Sequence, residues 1–137
     1  MYLDAFVPDT GQSLADLVGS EQHAKMRAGA EAGDGWRVPP PPTPPDTSPT
    51  DQAWIAERRL PQPLKCFEQP VVLRNGETRV PRSYIRAMRN THGPFAQFAE
   101  RARSEAGWTS LEIDASHSPH VTAPEPLMTL LDTVIDR

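Results

Sequence analysis

The hydrophobic and polar positions after residue 108 alternate first with the period of a strand and then with that of a helix. Leu111, Glu112 and Ile113 alternate with a period of two, which is typical of a half-buried strand. Farther on, apolar residues recur every three or four positions, as on one stripe of an amphipathic helix: Leu127, Leu130, Leu131, Val134 and Ile135. We therefore predict a strand, a loop and a C-terminal helix.

The predicted helix begins with the spacing of a capping box. Thr122 and Glu125 stand three residues apart, and Pro124 occupies a first-turn position where a missing N–H costs little. The loop before the helix carries His117, so this histidine is expected to be held between two anchored elements. A histidine titrates near neutral pH and can act as a general base, and His120 is a competing candidate.

Two more helices are predicted in the first half of the chain. Residues 13 to 26 place Leu14, Leu17 and Val18 at helical spacing behind Ser13, a suitable N-cap, and the glycines between positions 29 and 35 should end this helix. Residues 51 to 60 form a second short pattern that ends before Pro61. Both segments are predicted to be helical.

A proline-rich tract separates these two segments. Prolines at positions 39 to 42, 44, 45 and 49 lack an N–H and favour polyproline geometry, so the tract is predicted to be a loop or linker. Such a tract can bind an aromatic-lined groove of a partner, or it can be disordered. Farther on, an apolar run from Val71 to Leu73 precedes Asn75-Gly76, which suggests a small hairpin or an extended return.

The second half of the chain predicts an α/β fold. Val80 to Met88 is predicted to be a strand, and Pro94 to Ala106 a helix that ends near Gly107. Together with the two C-terminal elements, this gives the order strand, helix, strand, helix. Parallel strands need such crossovers, so the sequence predicts a parallel sheet.

Composition narrows the functional classes. The 137 residues suffice for one domain, and the net charge of −4 without a basic cluster gives no reason to expect nucleic acid or an anionic membrane as a partner. Apolar runs are shorter than the roughly 18 to 20 residues of a membrane span, and the N-terminus does not read as a signal peptide. We expect a soluble, cytoplasmic protein.

Cysteine and histidine usage gives no sign of a metal or cofactor. The single cysteine, Cys66, cannot form an internal disulfide and is expected to be buried beside Phe67. His117 and His120 are the only histidines with a spacing that approaches that of metal ligands, and such a pair alone is a weak signal. We expect neither a metal nor another cofactor.

Five segments occur in an order that resembles a known family. They are residues 2 to 8 (YLDAFVP), 36 to 45, 84 to 86, 95 to 102 and 116 to 125. Together they resemble the C-terminal half of the α/β-hydrolase superfamily, in the branch of hydroxynitrile lyases and plant methyl-ester esterases. The resemblance implies a partial parallel sheet with a mostly helical, proline-rich cap. Residues 1-9 would be a core strand remnant, 10-79 the cap and 80-137 the C-terminal core.

The resemblance also implies a catalytic role for His117. In this family the histidine after the last strand completes a triad of serine, acid and histidine, and the alignment selects His117 rather than His120. The acid usually follows the preceding strand, where this chain has Asn90, an amide without negative charge. Asp114 is a possible substitute, although a strand-end residue that faces water is the simpler interpretation.

The nucleophile of that family is not found in these residues. It lies on a G-x-S-x-G elbow upstream of the strand that resembles residues 2 to 7, and no such motif occurs here. The resemblance therefore implies a truncated fragment of an enzyme that acts on a small ester or carbonyl substrate, by hydrolase or lyase chemistry.

The alternative is a non-catalytic fragment or partner-binding module that uses the proline tract. An exposed sheet edge could then pair with a second copy of the chain.

Overall fold

The computed structural model describes residues 1–74, 76 and 80–135, the side chain of Ile135 excepted. The strands and helices follow in this order: β1 (Tyr2–Leu3), α1 (Leu14–Val18), α2 (Ser20–Ala32), β2 (Arg37–Val38), α3 (Pro49–Ala56), β3 (Gln62–Pro63), α4 (Leu64–Glu68), β4 (Arg82–Ala87), α5 (Phe95–Ser104), β5 (Trp108–Ile113), α6 (Pro119–Thr122) and α7 (Pro124–Ile135).

The chain divides into two compact units, each built from more than one segment. The first unit comprises Met1–Val7, Pro44–Asp51 and Thr78–Arg137. The second comprises Pro8–Thr43 and Gln52–Glu77.

The first unit contains a parallel sheet with the strand order β1-β4-β5. Leu3 is in register with Ile85, and Ile85 is in register with Leu111. Helix α5 makes the crossover between β4 and β5, which parallel neighbours require. The predicted combination of helices with a parallel sheet is confirmed. Strands β4 and β5 and helices α5 and α7 lie where their sequence patterns predicted them.

The two faces of this sheet carry different kinds of side chain, because successive side chains of a strand point to opposite sides. One face forms the apolar core, in which Ile85, Ala87 and Ile113 pack with Leu127 of α7. Leu130 and Leu131 pack against the same cluster, as the helical stripe predicted. Tyr84 and Arg86 of β4 lie on the opposite face of the sheet, and both are buried.

The predicted capping box at the start of α7 is wrong. Thr122 is the last residue of a short additional helix, α6, and its hydroxyl is used within that region. It lies 3.0 Å from Ser116 Oγ and donates to the carbonyl of Ser118 at 3.2 Å. The loop that carries His117 is therefore braced by α6 before α7 begins.

The second unit confirms one predicted cap and corrects one predicted helix. Ser13 caps α1 as predicted: its hydroxyl accepts from the N–H of Asp16, and the Asp16 carboxylate accepts from the N–H of Ser13. The single helix predicted over residues 13 to 26 is two helices, because Gly19 adopts a φ of 83° between them. Helix α2 then continues through Gly29 to Ala32 instead of breaking at the first glycine.

Short extended segments were less visible in the sequence. Strands β2 and β3 pair in antiparallel fashion, with Arg37 opposite Pro63. Residues 71 to 73 are not a strand, and Val71 instead exchanges backbone hydrogen bonds with Gly11 and Gln12. Asn75, the first residue of the predicted turn, lies outside the described residues. Helix α3 begins at Pro49 and ends at Ala56, earlier than the pattern predicted.

Two surface properties complete the description. Cys66 is exposed, so its predicted burial is wrong; it belongs to α4, a five-residue helix without a buried side chain. Among the described residues, no helix combines the length and apolar character that crossing a membrane demands.

Candidate active site

Three polar side chains meet at the carboxyl edge of the parallel sheet. Asp4 follows β1, Asn90 lies in the turn after β4, and His117 lies in the loop after β5. Because the three strands are parallel, their carboxyl ends lie along one edge, where open α/β sheets commonly bind ligands. All three residues belong to the first unit.

Asp4 is the centre of this group. Its side chain is 0% exposed, and its backbone adopts a φ of 42°, an uncommon conformation for a residue other than glycine. The N–H of Asp4 donates to the carbonyl of Ile85 at 2.7 Å, so pairing with β4 continues one residue beyond β1. The strand register thus fixes where the carboxylate stands.

Four donors surround the two oxygens of the Asp4 carboxylate. Oδ1 accepts from the guanidinium of Arg86 and from the N–H of Ala87, the latter at 3.3 Å. Oδ2 accepts from Nδ2 of Asn90 at 2.6 Å and lies 2.9 Å from Nδ1 of His117. A buried carboxylate with this many partners is fully satisfied as an anion.

The electrostatics favour the ionised form of Asp4. Burial is the largest single influence and raises its pKa. The hydrogen bonds from His117, Asn90 and Arg86, together with the positive charge of Arg86, outweigh burial and hold the pKa below the ordinary value for an aspartate. Asp4 is therefore an anion at neutral pH.

The contacts of His117 determine its tautomer. Nδ1 must carry the proton, because it faces an ionised carboxylate oxygen that can only accept. The 3.3 Å approach of Asn90 Nδ2 to the same nitrogen is then a contact between two donors, and the amide donates to Asp4 instead. Nε2 of a neutral His117 therefore holds a lone pair. Within the described residues nothing hydrogen-bonds to Nε2, and the side chain is 46% exposed.

An aromatic ring supports the imidazole from one side. The ring of Phe95, the first residue of α5, stacks on that of His117, with 4.9 Å between centroids and 28° between planes. Gly93 in turn lies against Phe95: a Cβ at that position would stand 2.9 Å from the ring, and its φ is 81°. The glycine therefore allows the Phe95 ring to occupy its place.

A buried tyrosine ties the chain after Asp4 to the start of α5. The hydroxyl of Tyr84 donates to the carbonyl of Ala5 at 2.9 Å and approaches that of Phe95 at 3.4 Å. Burial, assisted by the charge of Asp4, raises the pKa of Tyr84 to about 12, so the hydroxyl stays neutral and remains a donor.

The other candidates from the sequence lie elsewhere. Asp114 forms a two-pronged ion pair with Arg89, at 2.8 and 2.9 Å, and its side chain is 79% exposed. It is the water-facing strand-end residue that the simpler interpretation expected. His120 lies on α6 and is exposed. The Asn90 amide lies near His117, as its position suggested, but it donates its hydrogen bond to Asp4.

Sequence reasoning missed Asp4. The residue belongs to a segment that resembles the hydrolase family, but the resemblance places the acid after β4 and so assigns Asp4 no role. A usable signal exists: Asp4 directly follows an apolar strand residue, and in a parallel sheet such a carboxylate stands at the same edge as residues that follow the neighbouring strands.

The chain was compared with known proteins. No protein-family model matches it. It is similar to a carbendazim hydrolyzing esterase from Nocardioides sp. (strain SG-4G), with 31% identity over 137 positions that cover 93% of this chain and 57% of the relative. The chain thus spans a little over half the length of that protein. The similarity supports a relationship to hydrolases of the esterase type.

Proposed function

We propose that this chain supplies the acid and the general base of a serine-type ester hydrolase of the α/β-hydrolase superfamily, with His117 as base and Asp4 as acid. The observation that carries the proposal is the 2.9 Å contact between His117 Nδ1 and a fully buried carboxylate, made across 113 residues of sequence. The esterase name of the similar protein supports the same activity. The substrate class is a small ester or a related carbonyl compound.

The geometry supports a defined proton path. With the proton of neutral His117 on Nδ1, the lone pair of Nε2 can accept the proton of a serine hydroxyl while its oxygen attacks a substrate carbonyl. The imidazolium that forms is stabilised by Asp4, which remains ionised. The same Nε2 proton is then returned to the leaving alkoxide as the tetrahedral intermediate collapses. A water molecule then attacks the acyl-serine while Nε2 accepts its proton, and cleavage of the acyl–oxygen bond returns that proton to the serine and releases the carboxylic acid.

The nucleophile is proposed to lie in sequence outside these 137 residues. Ser116 and Ser118 are the serines nearest to His117 in sequence, and neither has the flanking glycines of a nucleophile elbow. Ser116 is also buried, and its hydroxyl contacts Thr122 Oγ1 at 3.0 Å. The similar esterase is longer than the match, which leaves room for a serine-bearing segment.

The first test is the DNA upstream of Met1. An in-frame G-x-S-x-G within roughly 100 residues is expected, because a whole domain of this type exceeds the common domain length of about 100 to 150 residues. The longer protein would then be assayed with p-nitrophenyl acetate and with carbendazim. An unrelated sequence or a stop codon upstream would contradict the proposed nucleophile.

The second test separates the two histidines in that longer protein. His117→Ala should lower kcat/KM by on the order of 10⁴-fold or more, because removal of a triad member leaves only the residual catalysis of binding and oxyanion stabilisation. His120→Ala is the matched control, since His120 is exposed and lies three residues away. Equal activities of wild type and His117→Ala would refute the assignment of the base.

A second candidate function is binding through the proline tract. The four prolines 39 to 42 are exposed, and the carbonyls of Pro41 and Pro42 accept from the guanidinium of Arg59. A partner module with an aromatic groove would recognise such a segment. Titration with an SH3 or WW domain separates the two functions, because replacing Pro40 and Pro41 by alanine would weaken this binding and leave hydrolysis unchanged.

A further inference from the structure

Arg86 of β4 contacts both the candidate acid Asp4 and the turn that carries Asn90, although the proposed mechanism assigns it no role. Its residue is 9% exposed, and one guanidinium nitrogen donates to Asp4 Oδ1. The other terminal nitrogen donates to the backbone carbonyl of Asn90. We propose that Arg86 is a positioning residue that clamps the Asp4 carboxylate and the main chain at Asn90 in one geometry, so that Asp4 Oδ2 faces His117. This inference rests on the proposed function.

The first half of the clamp acts on the orientation of the carboxylate. A carboxylate can rotate about its bond to Cβ and exchange its two oxygens. Oδ1 is held by Arg86 and by the N–H of Ala87, whereas Oδ2 is shared by Asn90 and His117. Because the two oxygens have partners in different directions, turning the carboxylate out of its present plane would break contacts to both of them, and a half turn only exchanges two equivalent oxygens. The oxygen that faces His117 is therefore fixed from the opposite side of the carboxylate.

The second half of the clamp acts on the turn after β4. The N–H of Asn90 donates to the carbonyl of Ala87 at 3.2 Å, and the Asn90 carbonyl accepts from Arg86. The turn is thus held at both backbone groups of Asn90, which places its amide 2.6 Å from Asp4 Oδ2. Only a planar fork of donors reaches a carboxylate and a carbonyl together. A lysine supplies the charge but not the fork.

A purely stabilising role accounts less well for Arg86. A buried ion pair often contributes no more stability than apolar residues of the same volume would. The face of the sheet that carries Ile85 and Ala87 is apolar, so this unit does build apolar cores. A buried arginine with two directed contacts on the acid and its neighbouring turn is better explained by the geometry that it maintains.

The experiment measures the ring nitrogens of His117 in the 137-residue chain. Two-bond ¹H–¹⁵N correlations distinguish a protonated ring nitrogen from one with a lone pair, and loss of one signal set in His117→Ala assigns that residue among the four histidines. At mildly alkaline pH, wild type should show a protonated Nδ1 and an unprotonated Nε2. Arg86→Lys should move both nitrogens toward the averaged values of mixed tautomers, because Oδ2 is no longer held.

A matched control is available in the turn after the same strand. Arg89 also binds an aspartate with two nitrogens, but its partner Asp114 is exposed and does not contact His117. Arg89→Lys should therefore keep the wild-type tautomer of His117. Arg86→Gln is the second test variant, since a glutamine can donate to Asp4 or to the Asn90 carbonyl but not to both.

Each outcome either supports or overturns the positioning role of Arg86. A wild-type tautomer in folded Arg86→Lys or Arg86→Gln would overturn the positioning role. Loss of folding in both variants, judged by circular dichroism, would assign Arg86 to stability alone and also overturn it. Failure of the proposed function is visible separately, as unchanged ester hydrolysis in His117→Ala of the longer protein. That result would remove the catalytic purpose of the clamp, whereas the tautomer shift would still report its geometry.

Discussion

Exchanging the side chains of Asp4 and Asn90 asks whether His117 needs a carboxylate beside Nδ1 or needs residue 4 in particular. The Asn90 amide lies 2.6 Å from Asp4 Oδ2 and 3.3 Å from His117 Nδ1. The double variant Asp4→Asn with Asn90→Asp keeps one carboxylate and one amide in this pair and leaves the net charge unchanged. We expect it to orient His117 better than Asp4→Asn alone.

The single variants define the scale of the effect. Asp4→Asn leaves the buried Arg86 without its anion, and removing one partner of a buried ion pair costs about 3–5 kcal/mol. Asn90→Asp places a second carboxylate next to Asp4. At the 2.6 Å separation of the present atoms, two unit charges repel by about 6 kcal/mol at an effective dielectric constant of about 20, before the side chains relax. We expect such a pair to share one proton at neutral pH.

Two assays measure the exchange. Urea unfolding of the four chains should show the double variant to be at least about 2 kcal/mol more stable than the sum of the single effects predicts. In the longer protein, Asp4→Asn should lower kcat by roughly 10⁴-fold. The exchange should recover at least about tenfold, which corresponds to about 1.4 kcal/mol of transition-state stabilisation.

The control for the exchange is a carboxylate outside the site. Asp114→Asn removes an exposed partner of Arg89, so it should leave the free energy of unfolding almost unchanged, and Asn90→Asp should not compensate for it. Strict additivity of the Asp4 and Asn90 substitutions, in both stability and activity, would refute the idea that the two positions share one role.

Two further predictions concern the surroundings of Asp4 and His117. Gly93→Ala should lower the free energy of unfolding by about 1 kcal/mol or more, because alanine disfavours the positive φ and its Cβ would clash with Phe95. The NMR shifts of the His117 ring protons should also change, because the Phe95 ring that stacks on the imidazole would move. Unchanged shifts would contradict the proposed support of the imidazole by Phe95. The stability of the folded chain should depend on pH because folding lowers the pKa of Asp4. Ionised Asp4 stabilises the folded chain fully above about pH 4, the ordinary pKa of an aspartate. This stabilisation is lost as the pH falls through the lower pKa of Asp4 in the folded state. Wild type and Asp4→Asn should therefore converge in stability on acidification in urea titrations, and a constant difference down to about pH 2 would contradict this prediction.

Periodicity predicted the elements that border the core. Strands β4 and β5 and helices α5 and α7 present apolar residues at regular intervals, and their burial against the sheet explains those intervals. The division of α1 from α2 was not predictable in the same way. It depends on Gly19 adopting a φ of 83°, a backbone choice that leaves no trace in the spacing of apolar residues.

Exposure of short elements was also hard to predict from the sequence. Cys66 lies next to Phe67, and cysteine and phenylalanine are usually buried. Helix α4 spans only five residues and none of its side chains is buried, so the local composition misled the prediction. Burial depends on which elements pack together, and a five-residue segment does not carry that information.

In the candidate site, too, one feature could be predicted from nearby sequence and another depends on residues that are far apart in the chain. The loop of His117 could be predicted because a strand and a helix border it in the sequence. Its partner could not, because Asp4 lies 113 residues away and meets the ring only through the register of three parallel strands. An acid sought by sequence position is placed after β4, where the chain has Asn90.

The chemistry of Asn90 explains why this residue alone could not orient His117 as a base. Without Asp4, its amide nitrogen would donate to a lone pair on His117 Nδ1 and so favour the tautomer with the proton on Nε2. That tautomer has no lone pair on Nε2 and cannot accept a proton from a hydroxyl there. The buried Asp4 carboxylate reverses the preference, because it accepts from both Asn90 and Nδ1. The amide at position 90 is therefore compatible with a basic His117 only because the charge is supplied from the neighbouring strand.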